Sequence, residues 1–123
     1  MVTLHLRTHP PVLFAYTPNS ADLIIKIENT GGGLCWMEAD VVLPERLSLS
    51  PDNRLQKGRI RLGIVDRDQS FEKNVRIYAN NYTKPQMYRC KAVVYTYSRD
   101  GVIDKRMEKP VDIRCELKKA PVL

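Results

Sequence analysis

The sequence predicts an all-β, antiparallel sandwich of seven to eight strands, and three observations carry that prediction. Apolar residues recur at every second position along most of the chain, the period of strands with one buried and one wet face. Clusters of Gly, Pro, Asn, Asp and Ser break the pattern at short intervals. No stretch keeps helical spacing for more than a turn.

Each element follows from local residues. "VTLHLR" (Val2 to Arg7) alternates until Thr8, His9, Pro10 and Pro11, because proline cannot donate to a central ladder. "VLFAY" (Val12 to Tyr16) is a second apolar piece before the turn residues Thr17 to Ser20. "ADLIIKIEN" sets Leu23, Ile25 and Ile27 on one face and Lys26 and Glu28 on the other. After Gly31 to Gly33, "LCWMEADVVL" places Cys35, Met37, Ala39, Val41 and Leu43 inward, with Trp36, Glu38, Asp40 and Val42 opposite. The turn-rich run from Pro44 to Gly58 crosses between sheets, and "RIRLGIV" (Arg59 to Val65) is a short strand containing Gly63. "FEKNVRIYA" alternates with Phe71, Lys73, Val75, Ile77 and Ala79 on one side. "MYRCKAVVYTYS" precedes Asp100-Gly101, a hairpin signal because glycine suits turns that need positive φ. The last strand begins near Val102, is interrupted at Pro110 and resumes as "VDIRCEL", leaving Lys118 to Leu123 as a frayed tail.

With 123 residues, the chain reads as one domain spanning 1–123. Its 43% hydrophobic and 28% charged content is that of an ordinary globular chain, and no apolar stretch approaches the ~20 residues of a membrane span. His5, Arg7, His9 and two prolines interrupt the N-terminal apolar residues, so no signal peptide is visible. The expectation is therefore a cytoplasmic protein, or a segment of something longer. A net charge of +6 favours encounter with polyanions without specifying one. Cys35, Cys90 and Cys115 lack the spacing of a zinc site or a disulfide framework, and reduced, buried thiols are expected.

The order of "ADLIIKIENTGGG", "MEADVVLPERLSLSP", "LGIVDRDQSFEKNVRIYA" and "KPQMYRCKAVVYTYSRDG" resembles the prokaryotic immunoglobulin-like modules of the CARDB and NPCBM-associated (NEW3-like) types. The likeness runs from about Asp22 to Asp104. It rests on Asn29-Thr30-Gly31, on Val41 to Pro44 as Val-x-Leu-Pro, on Leu62-Gly63, and on strands led by Ser70 and Tyr88. It implies an immunoglobulin-like β-sandwich that is non-enzymatic, with no cofactor and no catalytic residue, acting as a spacer or interaction module. Tyr88, two residues before Cys90, has the spacing of a tyrosine corner, in which the phenol bonds a backbone group upstream. The position that would pair with Cys90 in an antibody domain holds Ile25 or Ile27, so packing replaces that disulfide.

Gly31 to Gly33 lead into a strand, with no helix N-terminus and no Lys-Ser/Thr pair, so they read as a corner rather than a phosphate cradle. His5 and His9 sit on one strand face about 13 Å apart, too far to share a metal. Glu38 and Asp40 are expected to form cross-strand charge pairs with Arg89 and Lys91. Trp36 either points outward beside Tyr95 and Tyr97 or slips into the core through a bulge after the glycines. The favoured reading is protein–protein interaction, with an unknown partner or a second copy, through Trp36, Arg89, Lys91, Tyr95 and Tyr97. The alternative is nucleic-acid or other polyanion binding through Arg54, Lys57, Arg59, Arg61, Lys105, Arg106 and Lys109. A carbohydrate-associated module is a weaker alternative that rests on the resemblance alone.

Overall fold

Alternation in the sequence becomes burial along each strand. The computed structural model describes residues 2–30, 33, 35–97 and 100–118, with Cys35 described by its backbone. In chain order the strands are β1 (Val2–His9), β2 (Val12–Phe14), β3 (Asn19–Asn29), β4 (Cys35–Val42), β5 (Lys57–Val65), β6 (Gln69–Ala79), β7 (Met87–Tyr97) and β8 (Ile103–Glu116). They form a three-stranded sheet, β1-β3-β6, and a five-stranded sheet, β2-β8-β7-β4-β5. The larger sheet curls into a half-barrel. The tail from 119 onward, Gly31 and Gly32 lie outside the described residues.

The core lies between the sheets. Leu23, Ile25 and Ile27 of β3 are fully buried, as are Met37, Ala39 and Val41 of β4, Ala92 and Val94 of β7 and Ile113 of β8. Edges carry inward-facing lysines instead. Lys73, opposite Ile25, stays exposed on β6, and Lys109 of β8 donates from Nζ to the Leu4 carbonyl at 2.9 Å. That bond covers a free carbonyl on the edge of β1.

Two expectations about the strands are corrected. The strands are not wholly antiparallel, because β2 runs parallel to β8, with Leu13 opposite Cys115. Pro10-Pro11 moves the chain between sheets without a hairpin, so nothing imposes an antiparallel neighbour on β2. Nor is the last strand broken at Pro110, which stays in the ladder opposite Lys91. At that level β8 is paired on one side only, since β2 reaches just Arg114 to Glu116, and the missing N–H forfeits no bond.

The corner around Tyr88 forms as its spacing predicts. The ring is buried and its hydroxyl donates to the Lys84 carbonyl at 2.8 Å, while burial pushes the phenol pKa up. Tyr88→Phe should therefore lower the unfolding free energy by about 1 kcal/mol, read as a shift in urea midpoint at unchanged slope.

Cys90 and Cys115 are free and buried. The register sets Cys90 opposite Val111, four residues along β8 from Cys115. Cys35 begins β4 at the far end of β7, next to the Trp36–Tyr97 pair. The proximity of Cys90 to either one, which a sandwich order allows, is thus excluded by register. Burial raises the Cys90 pKa to about 12, so the thiol stays protonated and unreactive at neutral pH.

Candidate interaction face

The outer face of the five-stranded sheet is built row by row from cross-strand register. In the first row Ile64 of β5, Trp36 of β4, Tyr97 of β7 and Ile103 of β8 stand side by side. Trp36 is 40% exposed, Ile64 60% and Ile103 53%. Of the two positions open to Trp36, the structure takes the outward one, and Met37 goes to the core.

Two irregularities assemble this row. The β4–β5 register shifts between Met37 and Glu38, where Gly63 takes φ +97° opposite Met37. Strict alternation from Arg59 and Arg61 would turn Ile64 inward; the extra residue turns it out and sends Val65 into the core. The β7–β8 register shifts between Thr96 and Tyr97, which sets Ile103 beside Tyr97.

Below the apolar row lies a charged network. Glu38 faces Tyr95, and Asp40 faces Val93. Their cation is Arg59 of β5, whose Nε and Nη2 bond the Asp40 carboxylate oxygens at 2.9 and 3.2 Å. Arg59 Nη1 also lies 3.8 Å from Glu38, and its guanidinium sits 5.4 Å from the centre of the Tyr95 ring. Tyr97 donates its hydroxyl to Glu38 Oε2 at 3.3 Å. The Arg59 bond holds the Asp40 carboxyl below its ordinary pKa, against burial that pushes the other way. Arg106 reaches Tyr95 from β8 and bonds Glu108 at 3.0 Å.

The expected pairing of Glu38 and Asp40 with Arg89 and Lys91 does not occur. The register carries those cations further down β7, where Arg89 forks onto Asp112 at 2.9 and 3.3 Å and Lys91 bonds Glu108 at 3.1 Å. These contacts hold the Asp112 and Glu108 carboxyls below their ordinary pKa values.

The structure thus divides the proposed interaction residues into two groups on one face. Trp36, Tyr95 and Tyr97 gather at one end; Lys91 lies about 14 Å along β7 from Tyr95, and Arg89 about 20 Å, at ~3.4 Å per residue. There they line an open cleft of about 410 Å³ floored by Val42, Pro44 and Pro110. The basic residues are also dispersed. Arg54, Lys57, Arg59 and Arg61 lie on or before β5, whereas Lys105, Arg106 and Lys109 lie on β8, with β4 and β7 between. Arg59, Arg106 and Lys109 are already engaged, by Asp40, Glu108 and the Leu4 carbonyl.

Sequence reasoning missed Ile64 and Ile103, and it missed the role of Arg59 and Arg106 in flanking Tyr95. The lone glycine within "RLGIV" was the available signal, since an isolated strand glycine marks a bulge and a change of face. The corner read at Gly31 to Gly33 falls largely outside the described residues, and Asn29 stands before it. Its buried Nδ2 donates to the Gly33 carbonyl at 3.0 Å and the Val65 carbonyl at 3.2 Å, and strand β4 follows.

His5 and His9 lie on the outer face of β1, and His5 approaches Glu28 at 3.7 Å. Among the described residues no three His, Cys, Asp or Glu side chains converge as a metal site would require. No helix among them is long and apolar enough to cross a membrane.

No family model and no curated protein sequence matches this chain. Solved structures do. The crystal structure of the CARDB domain of a Pyrococcus furiosus protein, in complex with di-metal ions, is similar with a TM-score of 0.57 and 16% identity, covering 96% of this chain and 94% of that one. The Pseudomonas fluorescens alkylpurine DNA glycosylase AlkC, bound to DNA with an abasic site analog, is similar with a TM-score of 0.51 and 12% identity. That match covers 94% of this chain but only 30% of the glycosylase. At these identities the likeness concerns architecture: two sheets, eight strands and near-complete coverage establish a CARDB-like fold for this chain.

Proposed function

We propose that this chain is a non-catalytic, immunoglobulin-like domain that docks a protein partner on the outer face of its five-stranded sheet. The observation that carries the reading is the apolar row Ile64–Trp36–Tyr97–Ile103, which crosses four strands without a charge. Contiguous exposed apolar surface of this kind marks contact sites, whereas apolar residues scattered singly do not. Its neighbours suit the centre of an interface, where Trp, Tyr and Arg dominate binding energy. Arg59, Glu38, Tyr95 and Tyr97 are held by one another, so little side-chain freedom remains to be lost on docking. Arg89 and Lys91 extend the same face along the cleft that they line with Val42, Pro44 and Pro110, where they would orient a longer partner. The immunoglobulin-like reading rests on the strand order together with the Tyr88 corner.

A photo-crosslinking residue at Ile103 should capture a defined partner in cells, and the same residue at His5 on the other sheet should not. Trp36→Ala should weaken that capture about 30-fold or more, the scale of a hot-spot residue, with unchanged thermal unfolding. Equal capture from both faces, or capture indifferent to Trp36, would overturn the proposal.

A further inference from the structure

We infer that the cleft between the β4–β5 connection and the β6–β7 turn binds a phosphate-type oxyanion through Arg46 and Arg54. The site is separate from the apolar row and stands whether or not that row docks a protein.

The arginines of this chain are otherwise engaged. Arg7, Arg59, Arg67, Arg76, Arg89, Arg106 and Arg114 each lie within 4 Å of a carboxylate. Of the described arginines, Arg46, Arg54 and Arg61 have no such partner, and two of these three line one concavity of about 180 Å³. Glu45 is the only carboxylate on its wall, and it pairs with neither arginine. Gln56, Asn80 and Tyr82 complete the wall with neutral polar groups. Neither arginine is bonded to a carboxylate, so an oxyanion in the cleft would meet two cations, with the single charge of Glu45 on the same wall opposing it. Their planar forks of N–H donors match the geometry of an oxyanion.

The backbone beneath is fixed. Ser48 exchanges backbone bonds with Tyr78 at 3.0 and 2.7 Å, and its hydroxyl ties the Asn53 carbonyl at 2.6 Å and the Leu55 N–H at 3.0 Å, on either side of Arg54. Thr83 donates to the Arg46 carbonyl at 2.8 Å and accepts from the Asn80 N–H at 2.9 Å, joining the second wall to the first. Both arginines therefore project from anchored backbone rather than from free loops. The volume falls below the ~300 Å³ at which pockets for whole drug-sized ligands begin, so the site takes one phosphate group, free or carried on a larger molecule.

Inorganic phosphate and pyrophosphate should each give saturable shifts of the Arg46, Arg54 and Tyr82 side-chain NMR signals in the full chain. Arg46→Gln and Arg54→Gln should each weaken binding at least tenfold with unchanged thermal unfolding, whereas Arg61→Gln should not. Arg54→Lys, which keeps the charge but loses the fork, should fall between. A short single-stranded oligonucleotide tests whether the phosphate arrives on a polymer: tighter binding lost with Arg54→Gln but not Arg61→Gln supports the same site. No saturable shift at millimolar phosphate, or equal losses from Arg54→Gln and Arg61→Gln, overturns the proposal.

Discussion

Truncating Ile25 to alanine is expected to lower the unfolding free energy by about 2–5 kcal/mol, the largest effect of any single change considered. Ile25 is fully buried in the central strand of the smaller sheet, between Leu6 of β1 and Lys73 of β6. Both ladder neighbours are hydrogen-bonded through backbone, so the strands cannot close over the lost methyl groups and a cavity remains. No cystine supports the core here: Cys90 is free, and β3 carries no cysteine. The role that a covalent inter-sheet link plays elsewhere falls on close packing by β3, which makes the chain sensitive to volume there. Domains of this size have total stabilities of about 5–15 kcal/mol, so Ile25→Ala should remove a large part of the reserve. Urea unfolding followed by circular dichroism gives the measurement. Lys26→Ala, one residue along and on the wet face, is the comparison and should change stability by no more than about 0.5 kcal/mol.

Arg59→Ala is expected to lower the thermal midpoint, because the Asp40 carboxylate exchanges a two-pronged charge-assisted bond for water. Asp40 lies on the outer face yet is only 5% exposed, covered by the guanidinium itself. The pH dependence follows from direction. The folded-state pKa of Asp40 lies below the ordinary 3.8, so an unfolded chain takes up a proton first as pH falls. The stabilisation is complete above the ordinary value, fades as pH drops through it, and is gone below the depressed folded value. In Arg59→Ala that acid limb should flatten, and Asp40→Asn should flatten it likewise. Thermal unfolding between neutral and acidic pH checks both; an acid limb unchanged in both variants would contradict the assignment. Because Arg59 also lies over the Tyr95 ring, its loss should loosen the aromatic cluster and weaken partner capture at Ile103.

Much of this was legible in the sequence because strand alternation is a local property. Leu23, Ile25 and Ile27 declare one face within five residues, and Tyr88 announces its corner by a two-residue spacing from Cys90. What the sequence leaves out is register, which belongs to pairs of strands. Glu38 and Arg89 lie on the correct face of their strands, yet the ladder slides them apart and gives Glu38 to Arg59 and Tyr97. A bulge hides more thoroughly, because one extra residue inverts every assignment after it. That is why Ile64 could not be distinguished from a core residue by alternation. Likewise Pro110 reads as an interruption until the ladder shows that its nitrogen faces an unoccupied side. The cleft at Arg46 and Arg54 was invisible for a further reason: its two walls come from segments far apart in sequence, joined through Thr83 and Ser48.

Lys109 and its bond to the Leu4 carbonyl bear on how this protein behaves in concentrated solution. An uncovered strand edge is a template on which identical chains add end to end, each new strand offering the next edge. A lysine projecting across β1 interrupts that template with a charge that an incoming strand would have to displace and bury. Removing it by Lys109→Ala should leave the folded domain intact but shorten the time before fibrils form on prolonged storage, followed by thioflavin fluorescence. Of the edges that the two sheets present, the one at β1 is thereby withdrawn from end-to-end growth.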